Sequence, residues 1–383
     1  MTSDHPMAPI ALPDTRARRV LDTLLDGSGV ALNGDNPWDP QIYHPDFCAR
    51  VLRQGTLGLG EAYMDGWWKC ERIDEMACRL LTHGLGERAK TPADRLMYRL
   101  QSGFLNLQSK ARAYIVGERH YDLGNDLFER MLDPTMCYSC GYWKNADTLH
   151  GAQLAKLELA CRKLELAPGM RVLDIGCGWG SFAEHAARRH GVEVTGITIS
   201  REQARLARQR CEGLPVEIRL QDYRDLAGHF DRIVSIGMFE HVGHRNYATY
   251  FDTVAHLLDR DGLFLLHSIG SNRSDVGADP WVDRYIFPNG QLPSVRQIAE
   301  ASEGHLIMED WQNFGADYDT TLMSWLANFD AHWHEIADRY SERTQRMFRY
   351  YLSVCAGAFR ARELQLWQIL FSRGRPGRYD APR

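Results

Sequence analysis

From Tyr121 onward, short apolar runs alternate with segments of helical period. The runs Val172–Ile175, Glu193–Ile197, Val216–Leu220, Asp231–Ile236, Leu263–Ser268, His305–Trp311 and Leu366–Phe371 read as strands, and most are separated by amphipathic helical stretches. Strands alternating with helices predict a parallel sheet covered on both faces, with the final strand as an antiparallel edge. The chain before this region has a different pattern. Val20, Leu21, Leu24 and Leu25 share one face of a helix over Arg16–Leu25, and Phe47, Val51 and Leu52 do so over Pro45–Arg53. The expected fold class is α/β, a doubly wound sheet with a smaller helical N-terminal domain. Residues 1–90 form the helical part, 91–116 a connector and 117–383 the α/β domain.

The stretch RVLDIGCGWG, Arg171–Gly180, carries the first chemical signal. An apolar strand running into Asp174, Gly176, Gly178 and Gly180, followed by a helix over Ser181–His190, is how nucleotide-binding α/β domains open. The glycines bend the turn and let backbone N–H groups approach an adenosine-containing ligand. In dinucleotide enzymes an acid ending the second strand holds the ribose, whereas Thr198 stands there in this chain. The form Leu-Asp-Ile-Gly-Cys-Gly is similar to the first motif of class I S-adenosylmethionine-dependent methyltransferases. That resemblance favours a zwitterionic sulfonium ligand over a pyrophosphate.

Composition narrows the setting. The 383 residues are 44% hydrophobic, enough for a sizeable core, and a net charge of −5 carries no nucleic-acid signal. No apolar run is long enough to span a bilayer, and the first residues lack the pattern of a signal peptide, so a cytoplasmic protein is expected. Nine scattered cysteines do not form a disulfide framework. Two N-terminal features suit a peripheral membrane contact: the Tyr63, Met64, Trp67 and Trp68 cluster, and the basic residues Lys90, Arg95, Arg99, Lys110 and Arg112. A domain core and a solvated helix face are the ordinary readings of the same residues.

In a doubly wound sheet the first, fourth and fifth strands end in one crevice. Glu240 and His267 then stand side by side next to the bound ligand, placed for proton transfer or for clamping an anion. At these residues the resemblance becomes specific. HYDLGNDLFERMLD (120–133), YSC (138–140), GITIS with Gln203, QDYRDL (221–226), GMFEHVG (237–243), LLHSIG (265–270), YIFPNG (285–290) and NFGADYDTTL (313–322) resemble the cyclopropane-fatty-acyl-phospholipid synthases and mycolic acid cyclopropane synthases. GLGEAYMDGWW extends the likeness to the phospholipid enzymes.

The resemblance implies transfer of a methylene group from S-adenosylmethionine to a cis double bond of a phospholipid acyl chain. It further implies bicarbonate as the base, held by Cys140, Glu240, His267, Ile269 and Tyr318. Cofactor contacts carried over are Tyr138, Ser139, Asp174, Gly176, Cys177, Gly178, Gly180, Thr198, Gln203, Asp222, Tyr223 and Arg224. Partners implied are a bilayer with anionic lipids, approached from its inner face, and a second copy of the chain. A methyltransferase acting on another lipid or small molecule, and a silent lipid-binding module, remain open alternatives. No metal site is expected: His241 with His244, and His332 with His334, lack zinc-motif spacing. Cys355 reads as a packing residue rather than a nucleophile.

Overall fold

A computed structural model describes residues 8–85, 124–274 and 278–383. In the N-terminal part, helix α1 (Arg16–Leu25), strand β1 (Gln41–Ile42), helix α2 (Phe47–Met64), strand β2 (Trp68–Lys69) and helix α3 (Ile73–Thr82) follow one another. Helices α4 (Asn125–Met131) and α5 (Leu149–Lys163) lead into β3 (Arg171–Ile175), α6 (Ser181–His190), β4 (Glu193–Thr198), α7 (Arg201–Arg210), β5 (Val216–Leu220) and β6 (Phe230–Ile236). Then come α8 (Tyr247–Leu257), β7 (Leu258–Ser271), α9 (Pro280–Tyr285), α10 (Val295–Ser302), β8 (Ile307–Asn313), α11 (Ala316–His332), α12 (Glu342–Arg360) and β9 (Leu364–Ser372).

The seven-stranded sheet has the order β5-β4-β3-β6-β7-β9-β8. All seven expected strands are present. Strands β5 to β7 run parallel, and β9 is antiparallel to both of its neighbours. The final strand is therefore interior and not the edge that the sequence suggested. Burial explains the swap: nearly every residue of β9 is buried, while β8, with Glu309, Asp310 and Asn313, has no fully buried residue and tolerates the rim.

Helix α2 continues beyond Arg53, bending at Gly55 (φ 57°, ψ −134°). Its last turns place Gly60 against the indole of Trp281, where any side chain would collide with the ring. Tyr63, Met64 and Trp68 are buried, and Trp67 is half-buried, stacked on His44 at 3.8 Å. Tyr63 and Trp68 both pack on Tyr350 of α12, and Trp281 meets the same ring at 4.7 Å. These aromatics thus belong to one core joining the N-terminal helices to α11 and α12. They do not form the lipid-facing patch considered from sequence. The basic residues from Lys90 to Arg112 lie outside the described residues. Among the described residues, no helix is long and apolar enough to cross a membrane.

Candidate active site

At the carboxyl ends of β3, β4 and β6 lies a cleft with ≈ 1540 Å³ of open space, including its solvent-facing mouth. Tyr138, Ser139, Asp174, Gly176, Cys177, Gly178, Thr198, Gln203, Asp222, Tyr223 and Arg224 all line it. Gly176 has φ 82°, and a Cβ there would strike Met238 across the loop, so both its backbone and the space demand glycine. Gly180 does not line the cleft. It caps α6 with φ 85° and backs onto Ala207 and Cys211, so it shapes the loop from behind.

Polar groups at the ends of β4 and β5 are already organised among themselves. Thr198 Oγ1 donates to Gln203 Oε1 at 2.8 Å. Asp222 accepts from the Arg224 guanidinium at 2.8 and 2.7 Å and from its backbone N–H at 3.0 Å. Asp174 contrasts with them. It is wholly buried with Oδ2 unpartnered, and burial pushes its carboxyl up to about 7 against the pull of Lys156. An ammonium group entering the cleft would supply the missing donor.

Lys156 and Gln153 were not singled out by sequence, yet both act here. Lys156 Nζ donates to Ser139 Oγ at 2.9 Å, and Gln153 Nε2 donates to the Ser139 carbonyl at 2.8 Å. On paper they are ordinary polar positions of a helix; only the docking of α5 buries them. Tyr138 completes this wall, its hydroxyl donating to Tyr351 at 3.0 Å and its ring packed among Phe128, Phe287 and Trp325.

A second group of residues gathers where β6 and β7 end. Gly237 N–H donates to the His267 carbonyl at 2.9 Å, which fixes the turn carrying Glu240 beside β7. Glu240 Oε1 accepts from the Ile269 N–H at 2.7 Å, while Oε2 has no partner. Burial pushes this carboxyl up to about 7. His267 is held far below the usual imidazole range, first by burial and then by Lys156 and Lys163. Gln368 Nε2 donates to His267 Nδ1 at 3.3 Å; this assigns the ring proton to Nε2, which is also unpartnered. Gln368 was missed from sequence, although a glutamine inside the apolar run LQLWQILFS is a signal for a buried polar contact.

Cys140 and Tyr318 join the same dry region. The Cys140 Sγ donates to the Gly141 carbonyl at 3.1 Å and lies 3.8 Å from Thr321 Oγ1, and burial raises its thiol well above the ordinary range. Tyr318, in the first turn of α11, stacks on Phe359 at 4.5 Å, and burial holds its hydroxyl well above the usual phenol range. One face of its ring is thus occupied. Ile269 contributes its half-buried side chain to the aromatic core, and its N–H is committed to Glu240.

The histidine pairs considered for a metal resolve otherwise. His241 lies half-buried against Phe287 at the cleft wall and is lowered to about 4 by desolvation, and His244 bonds Gln291. His332 and His334 bond backbone carbonyls of their own turns. Cys355 is pushed up to about 12 by burial, which removes the thiolate a nucleophile needs.

Comparison with known proteins agrees with this geometry. Residues 108–369 match the family Mycolic acid cyclopropane synthetase. The cyclopropane-fatty-acyl-phospholipid synthase of Escherichia coli is 59% identical over 365 residues, covering 95% of this chain and 96% of that protein. A probable fatty acid methyltransferase of Pseudomonas putida is 36% identical over 91% of this chain and 90% of its own length. The solved structure of mycolic acid cyclopropane synthase CmaA1, complexed with SAH and CTAB, superimposes with a TM-score of 0.63 at 34% identity, covering 67% of this chain and 97% of that one. The chain therefore belongs to the mycolic acid cyclopropane synthetase family, S-adenosylmethionine-dependent enzymes on a class I methyltransferase fold.

Proposed function

We propose that this chain adds a methylene group from S-adenosylmethionine across the cis double bond of unsaturated phospholipid acyl chains, forming a cyclopropane ring. The observation that carries the reading is the pair of unpartnered buried atoms, Glu240 Oε2 and His267 Nε2, at strand ends adjoining the methyl-donor cleft. A plain methyltransferase has no use for them; a ring-closing enzyme must remove a proton after methyl transfer. When bound, S-adenosylmethionine supplies an electrophilic methyl, whose attachment to one alkene carbon leaves a carbocation on the other. Bicarbonate held by His267 and Glu240 would supply the base for a proton of the new methyl, whose C–H electron pair would then close the ring.

The chain's own groups fit that guest. His267 Nε2–H donates to an anionic oxygen, and Glu240 Oε2, when ionised, accepts from a hydroxyl, so together they match a species carrying both. Gln368 keeps the imidazole proton on the useful nitrogen. Tyr318, Tyr138, Phe287 and Trp325 exclude water. Asp174 takes the cofactor's ammonium, while Thr198, Gln203, Asp222 and Arg224 surround the nucleoside.

Reaching an acyl chain requires peripheral contact with a bilayer, and we place anionic lipids and a second copy of the chain among the partners. The test is mass spectrometry of unsaturated phospholipid vesicles incubated with the protein and a cofactor whose methyl carries three deuteriums. Loss of the double bond with retention of two deuteriums is expected. Retention of all three, a methyl-branched product, would make this a lipid methyltransferase instead.

A further inference from the structure

Away from the cleft, four ligating side chains meet between α5 and α6. Glu158 and Cys161 are three residues apart on α5 and so share a face, while His185 and His190 come from the middle and the end of α6. Both imidazoles point Nε2 at one atom, Glu158 Oε2, each at 3.2 Å. Cys161 Sγ and one ring nitrogen of each histidine lie within 4.8 Å of one another. We propose that Glu158, Cys161, His185 and His190 form a tetrahedral site for a divalent transition ion, zinc being the best match.

The chemistry of the donor set supports zinc. Two imidazoles, one thiol and one carboxylate are ligands that zinc accepts, and its bonds of about 2.0–2.3 Å put tetrahedral ligand atoms roughly 3.3–3.8 Å apart. The observed nitrogen-to-oxygen spacings are close to that range; Cys161 Sγ lies within 4.8 Å of the two imidazoles, so the sulfur side must draw in towards Glu158 Oε2 to close the set on an ion. Cys161 is a buried free thiol, and His185 and His190 are only partly accessible, with 11% and 18% of their side chains exposed. Burial lowers the His185 imidazole, leaving it neutral as a ligand must be. Burial raises the Cys161 thiol, so metal capture expels one proton from sulfur to solvent. With two charges lost to Glu158 and the thiolate, a dication leaves the site neutral.

None of the four residues lines the cofactor cleft, so the site is structural. It would staple two helices that form the cleft's walls. Helix α5 holds Ser139 through Gln153 and Lys156, and α6 starts at Gly180 of the glycine loop. The ion's expected effect is greater thermal stability together with a stiffer cofactor pocket.

The full-length protein, freed of metal with a chelator, should be titrated with Co²⁺ as a spectroscopic stand-in. One equivalent should bind, with a thiolate-to-cobalt charge-transfer band and a thermal midpoint raised by several degrees. Cys161→Ser should abolish the band, and His185→Gln with His190→Gln should abolish stoichiometric binding while leaving the metal-free midpoint near that of the metal-free parent. Absence of the band and of the midpoint shift at a hundredfold excess of Co²⁺ overturns the proposal. So does equal binding by the double-histidine variant, which would put the ion elsewhere.

Discussion

The two halves of the site differ in how their polar groups are satisfied. On the adenosine side, Thr198 bonds Gln203 and Asp222 bonds Arg224, so the surface is organised before any ligand arrives. On the side of Glu240 and His267, buried polar atoms stand without partners in a region walled by aromatic rings. Leaving such an atom bare costs about 1–3 kcal/mol each, a cost with no structural return. The difference supports the proposed reading, in which the first half holds the cofactor by shape and prepared contacts and the second is completed by a small polar guest.

The strongest way to break this contrast is Glu240→Gln. It should lower turnover by about 10²- to 10³-fold, the usual effect of removing one oriented electrostatic group, and leave cofactor affinity unchanged by calorimetry. A collapse of affinity would assign Glu240 to the binding half.

Asp174, a cleft-lining carboxylate with an unpartnered oxygen, sharpens the comparison. Because burial raises its carboxyl to about 7, the protonated form dominates below that pH and cannot pair with an ammonium. Cofactor affinity should therefore rise with pH up to about 7 and then level off. Asp174→Asn should weaken binding by about 10- to 100-fold and flatten that profile. Burial of Asp174 makes the empty fold progressively less stable as pH climbs from about 4 towards 7, while the lowered imidazoles of His241 and His267 act in the opposite sense over the same window, so the effect is read as a difference: the cofactor-free midpoint of Asp174→Asn minus that of the parent should rise across it. A difference that stays flat or falls would contradict the Asp174 assignment.

Gln368 tests the other half more gently. Gln368→Leu frees the His267 tautomer without touching substrate, and turnover should fall by about three- to tenfold. Cofactor affinity should hold, and the pH profile of turnover should move, which a merely structural role would not produce.

Much of the cofactor half was legible because its residues are nearly contiguous: Asp174 to Gly180 is a strand, a turn and a helix start written in order. Glu240 and His267 were legible for a different reason, since strand order alone brings those ends together. What escaped depends on docking. Lys156 and Gln153 look like solvent-facing polar residues until α5 lies on the sheet, and the place of β9 inside the sheet follows from burial on both its faces. Tyr63, Met64 and Trp68 left two readings open, a domain core and a lipid contact, and their packing on Tyr350 and Trp281 makes them core. Glu158, Cys161, His185 and His190 escaped because their spacing matches no zinc motif; two helices bring them together.

The central claim is that the dry half works only with its guest in place, and bicarbonate dependence tests it most directly. Turnover on unsaturated phospholipid vesicles should be measured in carbon-dioxide-free buffer and again across a bicarbonate titration, with cofactor binding followed in parallel. The account expects a slow rate without bicarbonate, saturable restoration on adding it, unchanged cofactor affinity and no such restoration in Glu240→Gln. A full rate in bicarbonate-free buffer would contradict it and make a protein side chain the base.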